Sequence, residues 1–436
     1  MGISENSELK REIGVFGGIS IIGGIMIGAG IFYIGSYVLM RVGMNIGLAL
    51  ICWLIGGLIS LMGGLCFAEL GSMMPKAGGS TVYLNEAYHP VVGFMSGMSS
   101  CLLAGPGSIA GLSIALIVSF RTFFTISDVG VKALAVMLII FLTICNCYGV
   151  KRASILQNVS MVAKMIPILL IMISALFIGN IFPDVSLATV NEAAQSTGRS
   201  VIGMIAFAVV ATLWAYDGWQ NLNSLAEEIK EPQRNLPLSL AIGIGGVIIL
   251  YMLFNFSIFR VLPMEDIKNM IAKGDYYLVT EVSRRIFGNT GAGIVVVGMI
   301  LAIFRSLNGL LLLGQRIYYA LAKEGHFFKM FLNVHPVYKV PTNAIIAQAI
   351  VSITLVLSRN LEQLATLVVF TGMIFKLLTI LSVVVFRRKY PNMERPYKVI
   401  AYPVTVIITS LVFLGLILNN LAKDPVNSIL SCAVQI

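Results

Sequence analysis

The 436-residue sequence carries little charge. Asp, Glu, Lys and Arg make up 11% of it, against 58% apolar residues. A soluble domain holds roughly 25% charged residues, so a water-facing globule is excluded and most of the surface must face lipid. Cysteine is scarce as well. Cys52, Cys66, Cys101, Cys145 and Cys147 lie within apolar runs, and Cys432 lies near the end. Cys145 and Cys147 have no second Cys or His pair to complete a zinc site, so small apolar packing is their expected role. The three histidines, His89, His326 and His335, fall in loops or at the ends of apolar runs without H-E-x-x-H spacing. No nucleophile stands beside a base. The sequence offers no catalytic constellation, no metal-ligand set and no cofactor motif. It also shows no signal peptide: the first dozen residues are polar, and the first apolar run is too long for an h-region.

What it has instead is apolar stretches of about 18 residues or more, each long enough for a membrane helix. They lie at 12–40 (span 1), 43–72 (span 2), 91–124 (span 3), 132–149 (span 4), 154–181 (span 5), 200–223 (span 6), 236–262 (span 7), 291–322 (span 8), 341–358 (span 9), 361–387 (span 10) and 401–422 (span 11). A twelfth stretch begins at Val426 and stops at Ile436. Its roughly 11 residues cannot cross a core of about 30 Å as a helix, so the sequence is expected to end inside its last span. The net charge of +10 sits in short loops, which points to a lipid bilayer rather than nucleic acid as partner. With the N-terminus placed in the cytoplasm, 16 of the 30 Lys and Arg fall in inner loops and 11 outside, while Lys164, Arg305 and Lys376 lie within spans. That bias favours the chosen orientation.

Span 1 contains GGIMIGAGIF (23–32), with four glycines near the middle of a membrane helix. Each weakens a helix by roughly 1 kcal/mol relative to alanine. Span 6 contains TLWAYDGWQNLN (212–223), which sets Asp217 and Gly218 inside an apolar run. A carboxylate at mid-membrane costs roughly 2.5–3.5 kcal/mol on insertion scales and marks a functional site. The two breaks occupy corresponding positions of two five-span halves, 12–181 and 200–388, with 401–436 following. Interrupted helices so placed point to a transporter's binding site near the bilayer midplane. Five spans per half give the halves opposite orientations, an inverted repeat within one transport domain covering 1–436. Gly28 and Gly30 are expected to let the chain leave helical dihedrals and expose bare N–H groups. Those N–H groups suit a carboxylate, and carbonyls freed before the break and from Ala215 to Asp217 suit an ammonium. Gly23 and Gly24 are expected to be a packing face of small residues.

GGIMIGAGIF, FAELGSMMPKAGGSTVYLNEAY (67–88) and WAYDGWQNLNSLAEEIKEPQRNLPLSLAIG (214–243) resemble the amino acid–polyamine–organocation superfamily. The likeness is closest to its L-type amino acid transporter branch, including bacterial serine/threonine exchangers. SLNGLLLLGQRIYYALAKEGHFF (306–328) and RRKYPNMERPYKV (387–399) extend it nearly end to end. The resemblance implies an all-α, twelve-helix, five-plus-five inverted-repeat fold with helices 1 and 6 unwound. It implies sodium-independent amino acid exchange by alternating access in the cell membrane. Ile27, Gly28, Ala29, Gly30 and Ile31 would hold the substrate α-carboxylate. Carbonyls near Ile25 and at Trp214, Ala215 and Tyr216 would take the α-amine. Trp214 falls where the family has an aromatic gate, and Ser108 on the span lining the same cavity. Lys164 matches a lysine standing where sodium-coupled members bind a cation. Animal relatives join a single-span glycoprotein through a cysteine between spans 3 and 4. FRTFFTISDVGVK (120–132) has none, so no disulfide-linked heavy chain is expected and the chain looks like a bacterial member.

Lys164 lies about ten residues into span 5, or roughly 15 Å of helix rise, which makes snorkelling to the interface hard. Arg305 stands where the family's S-x-N-G pattern is usually preceded by glycine. It has three readings: a pair with Asp217, ranked first, a contact to an acidic substrate side chain, or a vestibule charge. Lys376 departs from a usually apolar position and has no account from the sequence. Glu69, beside Lys76, and the run at 227–235 are expected to form a solvated or salt-bridged inner network. The function expected is exchange of small or medium neutral L-amino acids. The same fold carrying cationic, anionic or amine substrates is the alternative. A channel would need a continuous polar stripe, and a membrane-embedded enzyme a cluster of His, Asp or Cys.

Overall fold

A chain in lipid must satisfy its backbone hydrogen bonds internally, which leaves helices or closed barrels. This one is helical. The computed structural model describes residues 11–28, 30–76, 78–122, 124–147, 165–323, 325, 327–335 and 340–423. Among the described residues there is no strand, only a single parallel bridge between Ile13 and Ile229.

Six helices are long and apolar enough to cross a membrane: Ile46–Met73 (span 2), Pro90–Ser119 (span 3), Asp128–Cys147 (span 4), Pro232–Phe259 (span 7), Leu361–Lys389 (span 10) and Val404–Ala422 (span 11). Two bent pairs add Val15–Met26 with Gly30–Arg41 (span 1) and Leu278–Gly291 with Val296–Leu311 (span 8). Shorter apolar helices at Met165–Ile178, Val201–Ala215 and Thr342–Ser358 stand where the sequence predicts spans 5, 6 and 9. The chain is a multi-pass membrane protein. Lys164, Ala29 and the stretch from Val426 lie outside the described residues.

Local chemistry sets the helix ends. Asn45 accepts a hydrogen bond from the Leu48 N–H at 2.7 Å, and Asn360 and Gln363 form a reciprocal capping box; both satisfy donors that a helix start leaves open. Span 3 passes through a π-helical turn at Ser100–Ala104, just before Gly105 and Pro106. The proline brings no N–H to the helical ladder, and a wider turn accommodates that gap. The two halves of span 8 meet at 112°, and the chain turns at Gly288, whose φ of 68° suits a residue without Cβ.

Span 7 lies along span 2, the first half of span 1 (Val15–Met26) packs on span 7, and span 6 packs on span 2 and the second half of span 1 (Gly30–Arg41). Gly57 and Gly64 permit a close approach of spans 2 and 7: a Cβ there would stand 2.6 and 2.5 Å from Ile248 and Ile244. Close backbone approach through small residues is how helices associate in lipid. Spans 3, 4, 8 and 9 form a second group, and span 10 lies against spans 2, 3 and 6. Met137, Phe141 and Ile144 on span 4, Ile173 and Phe177 on span 5, and Leu411 and Leu418 on span 11 are exposed and face lipid.

The packing glycines of span 1 are not those expected. A Cβ on Gly24 would meet nothing within 4 Å, and one on Gly23 only Ile27 of its own turn. Gly18 abuts Ser239, and Ile22 lies against Gly243. Residues 18 and 22, four apart on one helical face, therefore turn toward span 7. The 100° step per residue carries 23 and 24 away from it.

Candidate functional site

The two helix breaks predicted from the sequence meet. Span 1 stops at Met26 and restarts at Gly30, with 53° between its halves. Ile27 leaves helical geometry at ψ 81°, and the Gly28 N–H donates to the Met26 carbonyl at 2.8 Å. Span 6 stops at Ala215 and turns through residues 216–220. A Cβ on Gly30 would lie 2.9 Å from Ala215 Cα, and one on Gly218 2.3 Å from Ile25 Cγ2. Each break thus supplies the glycine that lets the other approach. Positive φ is required only at Gly218, where it is 111°; Gly28 and Gly30 do not adopt it. At Gly30 the missing Cβ therefore serves close packing on Ala215.

Tyr251, on span 7, joins the two breaks. Its hydroxyl lies 2.6 Å from the Met26 carbonyl oxygen and 3.0 Å from that of Ala215. Both carbonyls belong to helix ends, where backbone acceptors lose their helical partners. One hydroxyl proton is shared between them. The ring is fully buried, edge-on to Trp53 at 5.4 Å and tilted against Tyr216 at 5.0 Å. Sequence reasoning missed this residue, since a single tyrosine in an apolar run looks like any core aromatic.

The charges pair differently from expectation. Asp217 accepts a short hydrogen bond from the Lys376 ammonium on span 10, and Gln220 Nε2 donates to the same oxygen at 3.1 Å. Gln220 in turn accepts from the Gly218 N–H at 3.2 Å, which steadies the turn. The pairing of Asp217 with Arg305 is overturned. Lys376 already occupies the carboxylate, and Arg305 Nη1 is buried without a hydrogen-bond partner.

Comparison with known proteins assigns the scaffold. The sequence profile described as amino acid permease matches residues 13–433. The chain belongs to the amino acid permease family. The b(0,+)-type amino acid transporter 1 of Mus musculus is 32% identical over 440 residues, covering 99% of this permease and 87% of its own length. The serine/threonine exchanger SteT of Bacillus subtilis (strain 168) is 31% identical over 409 residues, covering 93% and 90%. The large neutral amino acids transporter small subunit 2 of Mus musculus is 29% identical over 429 residues, covering 96% and 78%. All are named as carriers of amino acids, and the permease is a transporter rather than an enzyme.

The remaining expected residues of the permease divide by position. Ile27, Gly28, Gly30 and Ile31 are buried at the first break. Tyr216 is fully buried with its ring against Trp53, so only its backbone can serve a ligand. Ser108 donates to the Ala104 carbonyl one turn back, at 2.8 Å. The Trp214 ring lies against Gly111 of span 3 and lines a small cleft with Tyr33, Tyr37, Arg41 and Glu362, with room for about one water-sized group. Above that cleft Arg41 binds Glu362 at 3.0 Å, donates to the Phe207 carbonyl at 2.8 Å and stacks on the Phe207 ring. Tyr276, in the loop leading to span 8, stacks on Tyr37 at 4.8 Å. Next to it, burial raises the Asp275 carboxyl above its ordinary range.

A buried carboxylate near the end of span 2 joins it to span 10. Glu69 is 1% exposed and receives Arg387 through both oxygens, at 2.9 and 2.7 Å, and the Val399 N–H at 2.7 Å. Of the two expected forms it is the salt-bridged one, buried and paired with Arg387 of span 10. Arg395 donates to the carbonyls of Phe386, Tyr390 and Met393, which caps the end of span 10. Burial beside Cys66 and Glu69 pushes the Tyr397 phenol up to about 12.

Proposed function

We propose that this permease is a sodium-independent exchanger of small or medium neutral L-amino acids, working by alternating access across the cell membrane. The observation that carries the reading is the Tyr251 hydroxyl shared between carbonyls of two apposed helix breaks. Backbone dipoles converging within two spans suit a ligand that carries both an ammonium and a carboxylate. The α-carboxylate goes to the break at residues 27–31; the Ile27 and Gly28 N–H groups are held by the Gly23 and Met26 carbonyls, so the donors come from the start of the outer half of span 1, where the helix dipole favours an anion. The α-amine goes to carbonyls near Ile25 and at Trp214, Ala215 and Tyr216. A carbonyl has two lone pairs, so the Ala215 oxygen can accept from a ligand as well as from Tyr251. Trp214 gates the outer side, and Ser108 lines the cavity from span 3.

The scaffold of this reading is a twelve-helix inverted repeat, residues 12–181 and 200–388, with the N-terminus in the cytoplasm. Its support is the grouping of spans 1, 2, 6 and 7, and of spans 3, 4, 8 and 9, in which corresponding members of the two halves pack together. Lys164 stands in for a coupling cation. The loop at 120–132 has no cysteine, so the permease works without a disulfide-linked heavy chain, although one relative is by name a small subunit. One observation favours a second reading, an anionic substrate: Arg305 Nη1 is buried without a hydrogen-bond partner, and a substrate carboxylate would supply one.

Counterflow into liposomes, with a panel of labelled amino acids, tests both. Serine, threonine and alanine are expected to exchange, at rates unchanged when choline replaces sodium, and Lys164→Ala is expected to cut turnover severely. Strict sodium dependence sinks the exchanger as proposed. Preference for glutamate over serine selects the second reading.

A further inference from the structure

We propose that Lys376 is a tethered occupant of a side-chain subsite at Asp217, and that it is the residue which excludes cationic amino acids from this permease. The inference rests on the exchanger reading for where the ligand sits, and it names which side chains are refused.

Asp217 lies within the break of span 6, next to Gly218, whose missing Cβ lets Ile25 of the other break approach. A side chain projecting from a ligand held between the breaks therefore reaches this carboxylate. The carboxylate is already held from two directions. Lys376 donates to it from span 10, and Gln220 from the turn that follows. The lysine side chain runs back over Gly372, where a Cβ would stand 3.8 Å from Nζ, and its ammonium lies 5.7 Å from the centre of the Trp219 ring. The pair keeps some accessibility, 29% for the Asp217 side chain and 16% for Lys376, so the contact can be reached from outside rather than being sealed in the core.

An ammonium on a four-carbon stem hydrogen-bonded to a carboxylate is what the side chain of a bound lysine would present. Because Lys376 is tethered, its effective concentration at Asp217 is on the order of millimolar or higher. A cationic substrate must displace it, and gains no net ion pair by doing so. A neutral side chain leaves the pair intact. The arrangement makes two opposite predictions. Without the ammonium, Asp217 becomes an unpaired anion that a cationic substrate can neutralise. Without the carboxylate, Lys376 becomes an unpaired cation that attracts an acidic one.

The test uses the full chain in detergent and in liposomes, with L-arginine, L-glutamate and L-serine as probes. In Lys376→Met, arginine should raise the melting temperature and compete with serine counterflow at least tenfold more strongly than in the wild type. Asp217→Asn should show the mirror result with glutamate. Combining the two should abolish both gains, and Lys376→Arg, which keeps the cation, should gain no arginine response. The proposal fails if folded Lys376→Met gains no arginine stabilisation, or if the wild type already binds arginine as well as that variant does. Thermal stabilisation reads the subsite even if no exchange occurs in liposomes. A wild type that exchanges no neutral amino acid therefore defeats the exchanger reading alone, and an unresponsive Lys376→Met defeats the subsite alone. If Lys376→Met is not recovered folded, a glutamate gain in Asp217→Asn supports the tethered cation and its absence overturns it.

Discussion

The Tyr251 hydroxyl lies 2.6 Å from the Met26 carbonyl oxygen, so a side chain of span 7 holds the end of the first half of span 1. Tyr251→Phe keeps the ring and removes the shared proton, leaving the Met26 and Ala215 carbonyls with one partner fewer. An unsatisfied buried polar group costs about 1–3 kcal/mol. The expected result is a lower melting temperature together with slower serine counterflow. Equal stability and equal rate would show that the hydroxyl is dispensable.

Gly30→Ala tests the contact between the breaks. The new Cβ would lie 2.9 Å from Ala215 Cα and 3.0 Å from Ala215 Cβ. Overpacking typically costs about 1–3 kcal/mol, and here the strain falls on the protein backbone proposed to hold the ligand. Ligand binding, measured by calorimetry, should be lost or greatly weakened. Ala215→Gly in the same chain relieves half of the clash and should restore part of it. No effect of Gly30→Ala on affinity would place the ligand elsewhere.

Between spans 2 and 10, Glu69→Gln leaves Arg387 partly buried without its anion. Breaking such a pair costs about 3–5 kcal/mol, and the variant should unfold at a clearly lower temperature. Arg387→Lys keeps the charge but loses the two-pronged geometry, so its loss should be smaller. Thermal unfolding in detergent ranks the two, and the reverse order would contradict the geometry.

Asp275 supplies a pH test outside the spans. Burial raises its carboxyl pKa in the folded protein, so the folded state takes up a proton more readily than the unfolded chain. Stability from this group is therefore gained as pH falls through the raised value and is complete below the unfolded value. Asp275→Asn should raise the melting temperature at pH 7 and flatten its rise between pH 7 and pH 4. An unchanged pH profile counts against the buried carboxylate.

Much of this arrangement is legible in one dimension, and the boundary is physical. Apolar stretches of membrane length need no tertiary information, because the lipid itself imposes them, and among the described residues each of the eleven full-length predicted spans has an apolar helix in its place. The breaks are legible because Gly28, Gly30, Asp217 and Gly218 are costly inside a membrane helix whatever surrounds them. The partners are not. Lys376 and Arg305 both lie within spans as isolated cations, and only the rotation of spans 8 and 10 decides which of them meets Asp217. Gly23 and Gly24 look like packing residues as much as Gly18 does, because a glycine's neighbours depend on which face the helix turns inward. Tyr251 is silent for the same reason.

The short bridge between Ile13 and Ile229 has a mechanical consequence. Glu12 and Ile13 donate to the Glu228 carbonyl at 2.9 and 3.0 Å, and Lys230 donates back to Ile13 at 2.8 Å. These bonds splice the chain ahead of span 1 to the segment just beyond span 6. The first half of span 1, Val15–Met26, is then a lever with a yoke on its handle: if it tilts, it drags residues 228–230 along. A displacement at that end of the helix would thus be delivered to both broken helices at once, by backbone alone.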